Sequence, residues 1–232
     1  MIVVGGDVGA GKSTHARLLV NYLNVVYRGA VYRHVKTFHL VHVFLVVVLL
    51  IRYRSLVVLK ACKHYSPVRI LYVYDRGLFI KLFGFVSLFN LIGLLLRSLI
   101  QLHLTRALSK VIVVEDHVVG YANDLVYFLY ATLKREVRVK TKRIWLLGFA
   151  YLFNMVKNWG AIVLFLYADL GALRERWHER GTPEEFSEYI LAGRVASRIL
   201  SKLIEVHYID TSRPLIDVFR DIVDKISRNT CH

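Results

Sequence analysis

The chain has 232 residues, 56% of them hydrophobic, with a mean hydropathy of +0.44. That length suits one large domain, and that much apolar material excludes a disordered or collagen-like chain. Thirty-two Lys and Arg against 17 Asp and Glu leave a net charge of +15, which favours anionic partners such as nucleotides, nucleic acids or acidic lipid surfaces. The only cysteines, Cys62 and Cys231, lie far apart and outside any metal-ligand spacing, so neither a disulfide framework nor a zinc site is expected. A reducing, cytoplasmic setting fits best. The opening Met1-Ile2-Val3-Val4-Gly5-Gly6 carries no basic leader, so no export signal is expected.

Short β-branched runs ending in glycine or an acid alternate with longer periodic stretches, the pattern of strands and helices around a parallel sheet. The first strand is expected at 2–4, the first helix at 12–23 and the second strand at 30–35. The apolar run 38–51 follows, and its nine unbroken apolar residues, Val43 to Ile51, are too few to cross a bilayer as a helix. A sixth, less distinct strand is expected at 70–74, with Asp75-Arg76-Gly77 as a turn after it. The window from Phe79 to Leu96 approaches membrane-spanning length, interrupted only by Lys81, Ser87 and Asn90 among polar types. It belongs to a long helix, 83–108, on which Ser87, Asn90, Arg97, Ser98, Gln101 and Thr105 fall within an arc of about 100°. This polar stripe predicts a helix wrapped by protein on most sides and open to a cleft along one narrow face. Strands at 111–114, 161–167 and 206–209 and helices at 121–135, 170–180, 184–203 and 215–228 complete the pattern, with Pro183 and Pro214 at two helix starts. The fold class is α/β: a P-loop NTPase-type three-layer fold with a central parallel sheet, helices on both faces and an arginine-bearing lid. It forms one domain over 1–232, with 36–110 as an acceptor-side insertion and 170–200 as the lid region.

The strongest chemical signal is Gly6-Asp7-Val8-Gly9-Ala10-Gly11-Lys12-Ser13-Thr14, which satisfies the phosphate-binding pattern G-x-x-x-x-G-K-[ST]. It leaves a short apolar strand and opens a helix, so backbone N–H groups can turn toward phosphate oxygens beside a positive helix end. Lys12 would bridge the β- and γ-phosphates, and the Ser13 hydroxyl would ligate Mg²⁺. A chance match in a chain this long is expected about one time in a hundred. The strand Val111-Ile112-Val113-Val114 ends in Glu115-Asp116-His117, where such a fold needs a carboxylate for the Mg²⁺ shell; Asp116 is preferred over Glu115. The plain alternative is an acidic strand end that caps the next helix near Asn123. Arg176 and Arg180, four apart with Arg174 preceding them, share a helix face that can close over transferring phosphates. The bland alternative there is a solvated helix laced with Glu175 and Glu179.

These stretches resemble the thymidylate kinase family of nucleoside monophosphate kinases. The loop 6–14, the Val113-Val114-Glu115-Asp116-His117-Val118 segment, Leu166-Tyr167-Ala168-Asp169 with Leu173 to Gly181, and His207 to Leu215 follow the family's order along nearly the whole chain. The resemblance implies ATP and Mg²⁺ as cofactors. It implies Lys12, Asp116, Arg176 and Arg180 as catalytic groups, and Ser13 and Asp116 as metal ligands. It implies Gly6, Asp7, Gly9, Ala10, Gly11, Lys12, Ser13, Thr14, Arg174, Ser212 and Arg213 as ATP contacts. Acceptor recognition is thinner. Arg97 matches the family's arginine, but Leu96 replaces its aspartate, Gly93 its aromatic residue and His117 the arginine after the catalytic aspartate. The segment 32–37 lacks the arginine-glutamate-proline signature. Phe89 stands as a substitute aromatic group, with Arg97 and Gln101 as acceptor contacts.

The expected activity is Mg-ATP-dependent phosphoryl transfer to a nucleoside monophosphate, dTMP or a relative. The rival from another class is a P-loop ATPase or binding module with a degenerate acceptor pocket, docking on a membrane or nucleic acid. A homodimer and peripheral membrane contact by the apolar runs are both compatible with the sequence, and nucleic acid is the less favoured partner despite the charge.

Overall fold

In the computed structural model the described residues are 1–27, 29–35, 42–53, 68, 70–71, 75–108, 110–133, 142–181, 185 and 187–230. Five strands, β1 (Ile2–Gly6), β2 (Ala30–Val35), β3 (Val111–Asp116), β4 (Ile162–Tyr167) and β5 (Val206–Asp210), form one all-parallel sheet in the order β2-β3-β1-β4-β5. The register is continuous: Val3 lies between Val114 and Val163, and Gly6 beside Leu166. Each central strand splits its side chains by alternation. Val3, Ile112, Val114, Val163 and Phe165 enter one core, and Ile2, Val4, Val113, Leu164 and Leu166 the other. A strand buried on both faces must be apolar throughout, and these are. Each fully buried side chain of this kind contributes about 1.5–3 kcal/mol of transfer free energy.

One face carries α1 (Lys12–Tyr27), α6 (Leu170–Glu179) and α8 (Leu215–Thr230), through Ala16, Leu19, Leu173, Trp177, Val218 and Ile222. The other carries α2 (His42–Tyr53), α3 (Arg76–Arg97), α4 (His117–Leu133) and α5 (Lys142–Asn158), with Leu45, Phe79, Phe128 and Trp145 buried among them. Between α6 and β5, α7 (Ser187–Leu200) packs along α4, where the Tyr189 hydroxyl donates to Asp124 Oδ1 at 2.7 Å. The three layers and all five principal strands agree with the sequence reading.

Several expectations are corrected. The strand expected at 70–74 is not one: Ile70 and Leu71 are helical, and 72–74 lie outside the described residues. A short apolar run fits a buried helix as well as a buried strand, and periodicity cannot separate them. Asp75 is a helix N-cap rather than the first residue of a turn. Its carboxylate accepts the Leu78 N–H at 2.9 Å, which starts α3 seven residues before the expected position. Beyond Arg97 the helix continues through a π-helical stretch, Ser98–His103, and a last turn, Leu104–Ala107. Helix α5 was not anticipated; Trp145 anchors it, ring centroids 5.1 Å from Tyr121 and 5.9 Å from Phe128.

The long helix is also not wrapped on most sides. Only 28% of its apolar window Leu88–Ala107 is buried, and the polar stripe faces the protein: Asn90, Ser98 and Thr105 are buried, while Leu88, Ile92, Leu96 and Ile100 point outward. Periodicity locates a stripe but not which side of it meets the body. The Ser87 side chain, Cys62, Cys231, Pro183, Glu184 and the run 36–41 lie outside the described residues.

Candidate functional site

The site assembles where β1, β2 and β3 end together at the carboxyl edge of the sheet, the position where open parallel sheets bind ligands. The turn from β1 into α1 depends on glycine. Gly6 has φ +139°, and a Cβ there would fall 1.9 Å from the Leu166 carbonyl oxygen. At Gly9, φ +92°, a Cβ would meet Trp177 Nε1 at 2.7 Å. The Asp7 N–H donates to Leu166 O at 2.8 Å and Ala10 N–H to Asp7 O at 3.2 Å, which closes the loop over the start of α1. The first turn of α1 has no intrahelical acceptors for its N–H groups, so Lys12, Ser13 and Thr14 offer donors beside the positive helix end.

Within this loop Lys12 Nζ donates to the carbonyls of Gly6 and Asp7, both at 3.1 Å, and stands 3.9 Å from Asp116 Oδ1. Ser13 Oγ donates to Glu115 Oε1 at 2.8 Å, and the Tyr32 hydroxyl donates to the other oxygen of that carboxylate. Burial and the neighbouring Glu115 carboxylate push the Tyr32 phenol well up, which keeps it a donor. Asp116 bonds His34 Nε2 at 3.1 Å. The ligand atoms of His34, Glu115 and Asp116 lie within 4.8 Å of one another, and the Ser13 hydroxyl joins them through Glu115. Two carboxylates and a hydroxyl form the oxygen-rich donor set that a hard cation such as Mg²⁺ takes. Asp116 and His117 have φ of 68° and 36°, a left-handed backbone that non-glycine residues adopt at a cost of about 1–3 kcal/mol each. Such strain concentrates where side-chain position has a function to serve.

Arg176 ties the other wall. Its guanidinium donates to Thr211 Oγ1 at 3.3 Å, to the Thr211 carbonyl, and to the Gly9 carbonyl at 3.5 Å. A cavity of about 220 Å³ opens here, and Ala10, Thr14, Arg176, Arg180, Thr211 and Arg213 help to line it. Arg213 pairs with Asp221, and the Asp169 N–H donates to Ser212 Oγ at 3.2 Å. Asp169 caps α6 by accepting the Ala172 N–H, which holds its carboxyl below the usual range.

Thus Gly6, Asp7, Gly9, Ala10, Gly11, Lys12, Ser13, Thr14, Asp116, Arg176, Arg180, Ser212 and Arg213 gather around one loop and its cavity. Arg174 is exposed on α6. The acceptor-side residues lie elsewhere, along α3 and the π-helical stretch that continues it. Phe89 stands on the outward face with its ring 4.4 Å from Phe85. Gln101 is half-buried, and burial lowers the Arg97 guanidinium.

Three groups escaped the sequence reading. Glu115, passed over for its neighbour, is the acid bonded to Ser13. His34 is the partner of Asp116. Arg194 on α7 donates to Asp7 Oδ2 from Nε at 3.1 Å and Nη2 at 2.7 Å, and to the Ala168 carbonyl at 2.6 Å. Only the acid pair at the strand end left a sequence signal; Arg194 sits in mid-helix with no local cue.

No family model and no curated protein matches the sequence. Among solved structures, the thymidylate kinase from Ehrlichia chaffeensis superposes with a TM-score of 0.51 over 98% of each chain at 14% identity. At that identity the likeness extends to the fold, which is kinase-like.

Proposed function

We propose that the chain is a Mg-ATP-dependent phosphotransferase whose acceptor is a nucleoside monophosphate, dTMP or a relative. The observation that carries the reading is the hydrogen bond from Ser13 to Glu115, with Lys12 and Asp116 at the same strand end. It joins the glycine-rich loop to the acids of β3, the pairing that phosphoryl transfer from a triphosphate requires. The loop amides and Lys12 bind the triphosphate, and Lys12 exchanges its two carbonyl partners for phosphate oxygens. Ser13, Glu115 and Asp116 would hold Mg²⁺, which would neutralise phosphate charge there. Arg176 and Arg180 face the cavity and stabilise charge on the γ-phosphoryl as it passes to the acceptor. Arg213 and Ser212 border the base end.

A second reading has one observation in its favour. Leu96, where the resembling family carries an aspartate, points outward and is 50% exposed, which suits an ATPase with a degenerate acceptor site. One experiment separates the two: ADP release from Mg-ATP by the purified chain, alone and with a panel of nucleoside monophosphates, with Lys12→Ala beside it. Turnover that depends on one monophosphate and falls at least about 100-fold in the variant supports the kinase. Turnover indifferent to every monophosphate overturns it in favour of the ATPase.

A further inference from the structure

Charge is divided unevenly along this chain. Residues 36–110 hold eleven Lys and Arg against one acid, Asp75, and residues 134–157 hold seven against Glu136 alone. The rest of the chain holds 14 basic and 15 acidic residues. All of the net positive charge therefore resides in the two segments that supply α2, α3 and α5, and the half that carries the glycine-rich loop is close to neutral.

The same helices present an apolar face to solvent. Phe44 of α2 meets Phe85 of α3 with ring centroids 5.3 Å apart, and Leu88, Ile92, Leu96 and Ile100 continue the row at 41–60% exposure. A contiguous apolar row of this length is unusual on a surface that meets only water. The long helix has the length and composition to cross a membrane, but its other face is buried against the body at Asn90, Ser98 and Thr105. A helix held along one side and apolar along the other lies in an interface rather than through it.

The occupant must accept both aliphatic side chains and positive charge. A second copy of the chain meets the first requirement, yet sets exposed bases such as Lys81 against their own like charge. A nucleic acid meets the second, but its phosphates and bases engage Lys, Arg and aromatic rings and leave a leucine-isoleucine row uncovered. A bilayer with anionic headgroups meets both: acyl chains take the row, and the headgroups take exposed bases such as Lys81, Arg106 and Lys110.

We propose that the outward face of α2 and α3 is a docking surface for an anionic lipid bilayer, with the long helix lying flat in the headgroup region. Docking is independent of phosphoryl transfer and is read without nucleotide. The test is flotation of the full chain with vesicles of phosphatidylcholine alone, and with about three parts in ten of phosphatidylserine. The chain should float with the anionic vesicles, at least about tenfold more weakly with the neutral ones, and less as salt rises. Leu96→Gln/Ile100→Gln/Leu104→Gln should lose about tenfold or more of the binding, and Leu191→Gln/Ile199→Gln, exposed on α7, none. A cooperative thermal transition verifies the fold of each variant, and the single exposed change Ile100→Glu serves in place of a triple variant that does not fold. Absence of flotation, or flotation that the long-helix changes leave intact, overturns the proposal. So does a solution dimer that the long-helix changes dissociate, or retention on a single-stranded oligonucleotide, where either occurs without vesicle binding.

Discussion

Arg194 and Asp7 are 187 residues apart in sequence, yet two guanidinium N–H groups of Arg194 converge on one carboxylate oxygen of Asp7 under the glycine-rich loop. Asp7 is buried, and burial pushes its carboxyl above the usual range while Arg194 pulls it back. Removing the arginine leaves a buried carboxylate without its cation beneath the turn that Gly6 and Gly9 shape. Arg194→Ala should therefore lower stability by about 1–3 kcal/mol and raise KM for ATP about tenfold. Asp7→Asn in the same chain should recover most of the stability, which urea unfolding and initial rates measure. His117 gives a second prediction. Burial holds its imidazole neutral, with the pKa lowered to about 3, whereas an unfolded chain titrates near 6.5. Between those values the unfolded chain binds a proton that the folded one does not, so stability falls as pH falls. The loss should be about 1.4 kcal/mol per pH unit from pH 6 to pH 4. Urea midpoints across that range should flatten by this amount in His117→Gln.

At the scale of elements, the strands were legible because burial on both faces leaves no choice of residue type. Val111 to Val114 and Ile162 to Tyr167 admit no polar side chain until the chain reaches the site. Helices were legible where one face met the sheet, as in α1 and α8. Helix α5 was not, since its buried side is chosen by partners distant in sequence, Tyr121 and Phe128 around Trp145. Trp145→Ala should cost about 3–5 kcal/mol, measured as a lower urea midpoint with the slope unchanged, because the aromatic cluster cannot close over the space. The same physics explains the apolar run at 70–74. Whether such a segment pairs as a strand depends on a free sheet edge, and the described part of that segment is helical where it meets the core.

At the scale of the molecule, one sheet edge collects the loop, the acids of β3 and the arginine wall, so a ligand bound there braces α1, β3 and α6 together. Mg-ATP at about 100 times its Kd should add about 2.7 kcal/mol to the folded state. For a chain of this size that is a rise of about 5–10 °C in Tm. Lys12→Ala should show no such rise in the same thermal scan, and a rise equal to that of the unaltered chain would remove Lys12 from the binding site.

The sequence by itself determined the loop, the strands and their acids, because these are local: a turn needs its glycines, a buried strand its apolar residues, a helix start its cap. It also carried the amphipathic stripe on the long helix. Only the tertiary structure decided that the polar side of this stripe turns inward, that Glu115 is the acid bonded to Ser13, and that Arg194 supports the loop. Each of these depends on which surfaces meet, and hydrogen bonds between residues some 100 to 190 positions apart leave no periodic trace in the chain.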